Sequence, residues 1–168
     1  MHMSTTEVAG AAYKAKSFNM EPHYYNVDIN WNTDRKGIMC SPEINNMTGS
    51  CIEVATPPQF PKGIPDIWSP EHLFTAAISS CLMTTFLSIA ENSKLSFTSF
   101  TCKSKGKLEQ IDGKFMMSEV ILEPVVTISD EKDRERAERI LQKSEAACLI
   151  SNSVKSKITM IVTIKLNQ

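Results

Sequence analysis

The chain has 168 residues, a length that fits one domain and is long enough to bury a sizeable core. Its 18 basic and 19 acidic residues leave a net charge of −1, so we expect no broad electrostatic attraction to nucleic acid or to an anionic membrane. Hydrophobic residues make up 42% of the chain and charged residues 22%, which is typical of a globular protein and excludes a disordered one.

The first residues of the chain show no signal of the secretory type. The stretch MHMSTTEVAG lacks the basic start and the apolar run that such a signal needs. We therefore predict a loose arm at residues 1–20, a single domain at residues 21–168 and a cytoplasmic location.

Five cysteines are spread along the chain, at positions Cys40, Cys51, Cys81, Cys102 and Cys148. Their number is odd, and neither a CxxC pair nor a paired histidine spacing appears, which argues against a zinc site and against a secreted disulfide scaffold. We expect no metal, no other cofactor and reduced thiols. Three of the cysteines fall in strand patterns and are interpreted as small hydrophobic residues: Cys40, Cys51 and Cys102.

The predicted elements follow the order βββ-α-ββ-α-β, which indicates an α+β domain with helices packed on a curved, largely antiparallel sheet. Residues 23–31 alternate between apolar and polar side chains, and two further strands flank the turn NNMTG. A loop rich in proline follows, and residues 97–129 then form a hairpin around Asp112 and Gly113. A charged helix at residues 129–147 and a last strand at residues 157–166 complete the domain.

The helix predicted from Ser69 to about Asn92 is unusual because 18 consecutive residues, 73–90, carry no charge. A span of a membrane needs about 20 apolar residues. Six of these 18 are Ser or Thr, however, and no Lys/Arg cluster sets a topology, so we predict no membrane association. A helix that is uncharged on all sides is buried on all sides. We therefore predict that this helix is central and buried at a homodimer interface.

Two segments carry a resemblance to a known family: SPEHLFTAAISSCL, which contains Cys81, and SEAACLISNSVK, which contains Cys148. They resemble the OsmC/Ohr family of osmotically inducible and organic-hydroperoxide-resistance proteins, and the resemblance extends over about residues 23–168. It implies an OsmC-like fold in which Cys81, ten residues after Glu71, reduces peroxide and Cys148 resolves it as a disulfide. It also implies that Arg35, in the turn NTDRKG, pairs with the reactive thiolate.

The implied chemistry needs Cys81 as a thiolate although burial disfavours charge. The helix dipole is too distant, because Cys81 lies about 16 Å beyond Pro70 along the axis. We therefore expect Arg35 to supply the charge and Glu71 to orient it. Glu71 is about 15 Å from Cys81 on the same helix, so it is expected to serve the partner subunit. The family resemblance suggests a dithiol reductant, either a lipoyl protein or a thioredoxin-like protein.

Apolar residues of the proline-rich loop are expected to form the substrate pocket: Phe60, Ile67 and Trp68. Such a pocket favours organic hydroperoxides, because burial of an alkyl group gains about 0.8 kcal/mol per CH₂. Two alternatives stay open. The chain has only Lys62 where one branch of the family has a loop arginine, which leaves room for a redox-sensing or binding protein of the same fold without efficient turnover. A cysteine acyl-transfer enzyme would need a histidine base, for which His23 and His72 are the candidates.

Overall fold

The computed structural model describes residues 21–44 and 51–167. The arm predicted at residues 1–20 and the turn NNMTG lie outside the described residues. The α+β architecture predicted from the sequence is confirmed, with two α-helices and two sheets in the part of the chain described.

The first sheet has three antiparallel strands, β1 (Asp28–Thr33), β2 (Lys36–Cys40) and β3 (Cys51–Ala55). All six residues of β1 are exposed. Apolar side chains that alternate along β1 and the segment before it are more than half exposed: Tyr25, Val27, Ile29 and Trp31. This sheet thus has an apolar surface that the described chain does not cover.

The second sheet is built on a hairpin of two 15-residue strands, β4 (Phe97–Ile111) and β5 (Lys114–Ile128). Its turn residues Asp112 and Gly113 both have positive φ, at 50° and 77°, which is what a two-residue hairpin turn requires. This part of the sequence prediction is confirmed.

The last strand differs from the prediction because it is divided into β6 (Lys157–Met160) and β7 (Thr163–Leu166). Both pair in parallel with β5, so the second sheet is mixed. At the break, the backbone N–H of Ile161 donates to the carbonyl of Leu122 at 2.8 Å. The strand pattern continues through this break, and for that reason the sequence did not reveal it.

The first helix, α1 (Pro70–Asn92), begins where the sequence predicts. Ser69 is its N-cap, and the backbone N–H of Ser69 donates to Nδ1 of His72 at 3.2 Å, which completes a capping box. The second helix, α2 (Arg134–Ala147), starts later than predicted. It follows a 3₁₀ turn at Glu131–Asp133, which is capped by Asp130.

The core lies between the two helices and the second sheet. Phe86 of α1 packs on Phe97 and Phe100 of β4, with ring centroids 5.2 and 5.0 Å apart. A second cluster joins Ile78 and Leu82 of α1 to β5. The mixed sheet and α2 thereby fix the position and rotation of α1.

The outward face of α1 is uncharged over its middle and is exposed in the single chain. Met83 is 39% exposed and Leu87 is 42% exposed. By length and composition α1 also meets the criterion for a membrane-crossing helix, a criterion that core helices of soluble proteins meet as well. Burial of α1 on all sides therefore depends on a second chain and stays a prediction.

One prediction about the cysteines is wrong. Cys40 and Cys51 are not reduced small hydrophobic residues but form a disulfide. They lie directly opposite each other in the β2·β3 register, which brings their sulfurs within bonding distance. Cys81, Cys102 and Cys148 are free thiols.

Candidate active site

The structure brings Cys81 and Cys148 together although 67 positions separate them in the sequence. Cys81 lies in the middle of α1 and is 9% exposed, whereas Cys148 caps the C-terminus of α2 and is fully buried. The two helices pack against each other, and the two thiols lie close enough for each to shift the pKa of the other.

The environment of Cys81 favours its thiolate. Burial raises the pKa of the Cys81 thiol, but four hydrogen bonds outweigh burial and leave the pKa below its ordinary value. In order of effect, the donors are the Cys148 thiol, the Ile150 backbone, the Thr85 hydroxyl and the Leu149 backbone.

The environment of Cys148 has the opposite effect. Burial and the contact with Cys81 raise the pKa of the Cys148 thiol, so this sulfur keeps its proton while Cys81 is charged. The backbone N–H of Ser151 donates to the Cys148 sulfur at 3.5 Å, and the Ser151 side chain also favours its thiolate. One short turn, residues 148–151, therefore carries donors for both sulfurs.

Arg35 and Glu71 are not part of this cluster within one chain. Arg35 lies in the β1–β2 turn, where its carbonyl accepts a hydrogen bond from the backbone of Thr56 at 3.0 Å, and among the described residues it forms no ion pair. Glu71 lies in the first turn of α1, and its Oε2 is buried without a partner in the described part of the chain. Neither side chain contributes to the shift in the pKa of Cys81.

A groove of about 1350 Å³ opens beside the N-terminal half of α1. All three predicted substrate-binding residues line it: Phe60, Ile67 and Trp68. Phe60 packs edge-on against Phe115 of β5, at 5.5 Å between ring centroids, so the loop and the hairpin form opposite walls.

The groove and the thiols lie on different sides of α1. Ser79 lines the groove and precedes Cys81 by two residues. At about 100° per residue, their side chains therefore diverge by about 160° around the helix axis. Neither Cys81 nor Cys148 lines the groove. A molecule in the groove of one chain is thus separated from the thiols of that chain by the helix itself.

Sequence reasoning missed the donors that stabilise Cys81. Leu149 and Ile150 act through backbone N–H groups, which any residue type supplies. Thr85 is one of six hydroxyl residues in α1, and its position one helical turn after Cys81 was the available signal. The role of His72 in the capping box was missed as well.

Comparison with protein families gives one decisive match. A family model described as OsmC-like protein matches residues 63–163, more than half of the chain. The chain belongs to the OsmC-like family. No curated protein matches it with significance.

Solved structures of this family share the fold. An OsmC-like protein of unknown function from Vibrio cholerae has a TM-score of 0.74 at 24% identity, over 84% of this chain and 99% of that one. An organic hydroperoxide resistance protein from Elizabethkingia anophelis has a TM-score of 0.65 at 22% identity, over 88% and 99% of the two chains. An organic hydroperoxide resistance protein OsmC from Legionella pneumophila has a TM-score of 0.63 at 17% identity, over 87% and 99%. At these identities the likeness establishes the fold.

Proposed function

We propose that this OsmC-like protein is a thiol peroxidase that reduces organic hydroperoxides. The observation that carries the proposal is the close pair of buried thiols in which the pKa of Cys81 is lowered and the pKa of Cys148 is raised. The family membership and the description of two structural neighbours as organic hydroperoxide resistance proteins support the substrate class.

In the first step the Cys81 thiolate attacks the O–O bond of the hydroperoxide. The S–O bond forms, the O–O bond breaks, and the alcohol leaves after taking up a proton. Cys81 is left as a sulfenic acid. The hydrogen bonds from Thr85, Leu149 and Ile150 favour this step because they keep the sulfur charged in spite of its burial.

In the second step the Cys148 sulfur, having lost its proton, attacks the sulfur of the sulfenic acid. The S–S bond forms, the S–O bond breaks, and the hydroxyl leaves as water. A dithiol reductant, a lipoyl protein or a thioredoxin-like protein, then returns two electrons and two protons by thiol–disulfide exchange and is itself oxidised.

We further propose that the active form is a homodimer. The uncharged outward face of α1, with Met83 and Leu87, and the apolar surface of β1, with Ile29 and Trp31, are both open in the single chain. A second copy that covers both surfaces would gain about 25 cal/mol of free energy for each Å² of apolar area removed from water. This arrangement also accounts for the unsatisfied Oε2 of Glu71, because a group from the other subunit can reach it.

In such a dimer the groove of one subunit serves the partner subunit's Cys81. The groove lies on the far side of α1 from its own thiol, and the exposed face of α1 lies between the two. Phe60 and Trp68 would hold the alkyl part of the substrate, and Glu71 would orient Arg35 against the peroxide oxygens. The whole site is then shared between the subunits.

A second candidate is a redox-sensing or binding protein of the same fold without efficient turnover. It is favoured by the absence of any charged side chain among the groups that lower the pKa of Cys81 in the described chain. An acyl-transfer enzyme is disfavoured because Nδ1 of His72 is occupied by Ser69 and the histidine lines the groove rather than the thiol pair.

The test is turnover of cumene hydroperoxide by the reduced protein with dihydrolipoamide or a thioredoxin-like reductant. Many turnovers per subunit are expected. Cys81→Ser should abolish them, and Cys148→Ser should leave a sulfenic acid that dimedone traps. Cys102→Ser removes a free thiol that lines the groove and lies outside the pair, and this variant should still turn over peroxide. Consumption of a single equivalent of peroxide would instead favour the sensor, and an active Cys81→Ser variant would refute both.

A further inference from the structure

Ser151 carries a buried hydroxyl that the described residues leave without a hydrogen bond of standard geometry. The residue is only 9% exposed, so water does not compensate the hydroxyl. An unsatisfied buried polar group costs about 1–3 kcal/mol. Its nearest reactive neighbour is Cys148, whose sulfur accepts a hydrogen bond from the Ser151 backbone at 3.5 Å. The same side chain lowers the pKa of the Cys148 thiol.

The donors of the 148–151 turn divide between the two sulfurs. Leu149 and Ile150 donate to Cys81, and Ser151 faces Cys148. Before peroxide reacts, Cys81 is the sulfur of the pair that ionises first, because its pKa is lowered and the pKa of Cys148 is raised. Once Cys81 is a sulfenic acid, that charge is gone, and the next charge must form on Cys148.

We propose that the Ser151 hydroxyl is a positioning group for the second step, which acts through Cys148 by donating a hydrogen bond to its sulfur as the thiolate forms. This inference rests on the proposed peroxidase function. The bond changes are those of disulfide formation: Cys148 loses its proton, its sulfur bonds to the Cys81 sulfur, and the S–O bond breaks as the sulfenic hydroxyl takes up that proton and leaves as water. The hydroxyl of Ser151 neither gains nor loses a proton in the net reaction.

In this proposal the Ser151 hydroxyl does not donate to Cys148 in the resting enzyme and does so only in the intermediate in which Cys81 is a sulfenic acid. In the resting pair Cys148 is the sulfur that keeps its proton when one of the two ionises, because its pKa is raised and the pKa of Cys81 is lowered. Among the described residues, the one titratable group that shifts the pKa of Cys148 is Cys81, which raises that pKa while it is charged. Its conversion to the neutral sulfenic acid removes this repulsion, and Ser151 then adds a donor. The loss of repulsion and the added hydrogen bond both lower the pKa of Cys148. Cys148 therefore ionises only after Cys81 has reacted.

The experiment compares Ser151→Ala with Ser153→Ala, both in a Cys102→Ser background. Ser153 is the matched control because it lies in the same short 3₁₀ helix as Ser151, Ser151–Ser153, but donates to the Leu149 carbonyl at 2.7 Å. The reduced proteins receive one equivalent of cumene hydroperoxide and are quenched with dimedone. Mass spectrometry follows sulfenic acid and disulfide over time, across neutral and mildly alkaline pH.

For Ser151→Ala we expect disulfide formation to slow about threefold near neutral pH relative to sulfenic acid formation. The loss of one hydrogen bond lowers the thiolate fraction, and the higher nucleophilicity of the more basic thiolate offsets part of that loss. The pH profile of the step should move to higher pH, so the difference should close in alkaline solution. Ser153→Ala should match the parent. A profile that does not move, or slowing by the same factor at every pH, would overturn the assignment.

A second measurement needs no peroxide. In Cys81→Ala with Cys102→Ser and the Cys40–Cys51 disulfide intact, the ultraviolet absorbance of the thiolate reports Cys148 alone. Adding Ser151→Ala should move the pH at which this absorbance appears to a higher value. An unshifted titration would overturn the role of Ser151 even in an active peroxidase. Peroxide turnover by the unsubstituted protein separately tests the proposed function. If Ser151→Ala does not fold, Ser151→Thr and Ser151→Val provide the comparison, since they share a shape and differ in the hydroxyl.

Discussion

At the scale of single residues, Cys148 has two tasks in this account. It first donates a hydrogen bond to the Cys81 thiolate and later replaces the oxygen on that sulfur. The two tasks are compatible because the first needs a thiol and the second a thiolate, and the charge on Cys81 decides which form Cys148 takes. The pair therefore behaves as one titrating unit.

We predict that Cys148→Ala raises the pKa of Cys81. The substitution removes the most effective of the hydrogen bonds that favour the thiolate, and burial, which disfavours charge, remains. At neutral pH the variant should have a smaller thiolate fraction and should react more slowly with the first equivalent of peroxide. The measurement is a pH titration of thiolate absorbance in a Cys102→Ser background. A pKa of Cys81 that stayed the same or fell would show that Cys148 does not activate it.

The proximity of Cys81 and Cys148 could be predicted from the sequence, but the groups that lower the pKa of Cys81 could not. Cys81 and Cys148 stand in segments with distinctive residue order, and the structure brings them together. The sequence favoured a charged activator, Arg35, because a guanidinium is visible in a sequence. Backbone N–H groups, such as that of Ile150, are supplied by every residue, so only the fold shows where they point.

At the scale of elements, the loop before α1 depends on Gly63. A Cβ atom at this position would lie 2.0 Å from the carbonyl oxygen of Pro57, which is backbone and has little freedom to move. The loop is closed there by two hydrogen bonds, from the Gly63 N–H to Phe60 and from the Ile64 N–H to Thr56, each 2.9 Å long. The position of Phe60 in the groove therefore depends on this glycine.

We predict that Gly63→Ala lowers the free energy of unfolding by about 1–3 kcal/mol and raises KM for an alkyl hydroperoxide. The matched control is Gly113→Asn in the hairpin turn, where no atom lies within 4 Å of an added Cβ and asparagine tolerates the positive φ. That control should cost about 0.5 kcal/mol or less. Denaturant unfolding measures the stability, and steady-state kinetics measure KM. Equal effects of the two substitutions would contradict a special role for the loop.

Element boundaries were predictable where local chemistry determines them. The Ser69-Pro70-Glu71 start of α1 and the Asp112-Gly113 turn are local signals, and both are found as predicted. The division of the last strand depends on its long-range pairing with β5, and the Cys40–Cys51 disulfide depends on the exact register of the neighbouring strands β2 and β3; one sequence shows neither. The Cys40–Cys51 disulfide counts against the predicted cytoplasmic location, because disulfides are rare in that compartment.

At the scale of the whole molecule, a complete site with a covered α1 requires a second copy of the chain. The single chain leaves the outward face of α1 open, and its groove lies away from its own thiols. A dimer would cover the helix, satisfy Glu71 and complete the site. The exposed face of α1, the groove that lies away from the thiols and the unpartnered Oε2 of Glu71 are separate features. One symmetric contact between two copies would account for all three.

We predict that Leu87→Lys weakens the dimer at least tenfold, because it buries an unpaired charge at the interface. Peroxide turnover per subunit should fall with the dimer population, although Leu87 lies outside the groove. Gln142→Lys, which adds the same charge to an exposed position of α2, is the control and should keep both properties. Sedimentation over a range of concentrations measures the association. An active Leu87→Lys monomer would refute the shared site.

The most direct test of the central claim is the fate of the thiols after one equivalent of cumene hydroperoxide. Peptide mapping of the reduced, Cys102→Ser protein should find a single new disulfide, between Cys81 and Cys148, formed with release of one equivalent of alcohol. A product in which Cys148 is still a free thiol, or in which Cys81 has not reacted, would contradict the account.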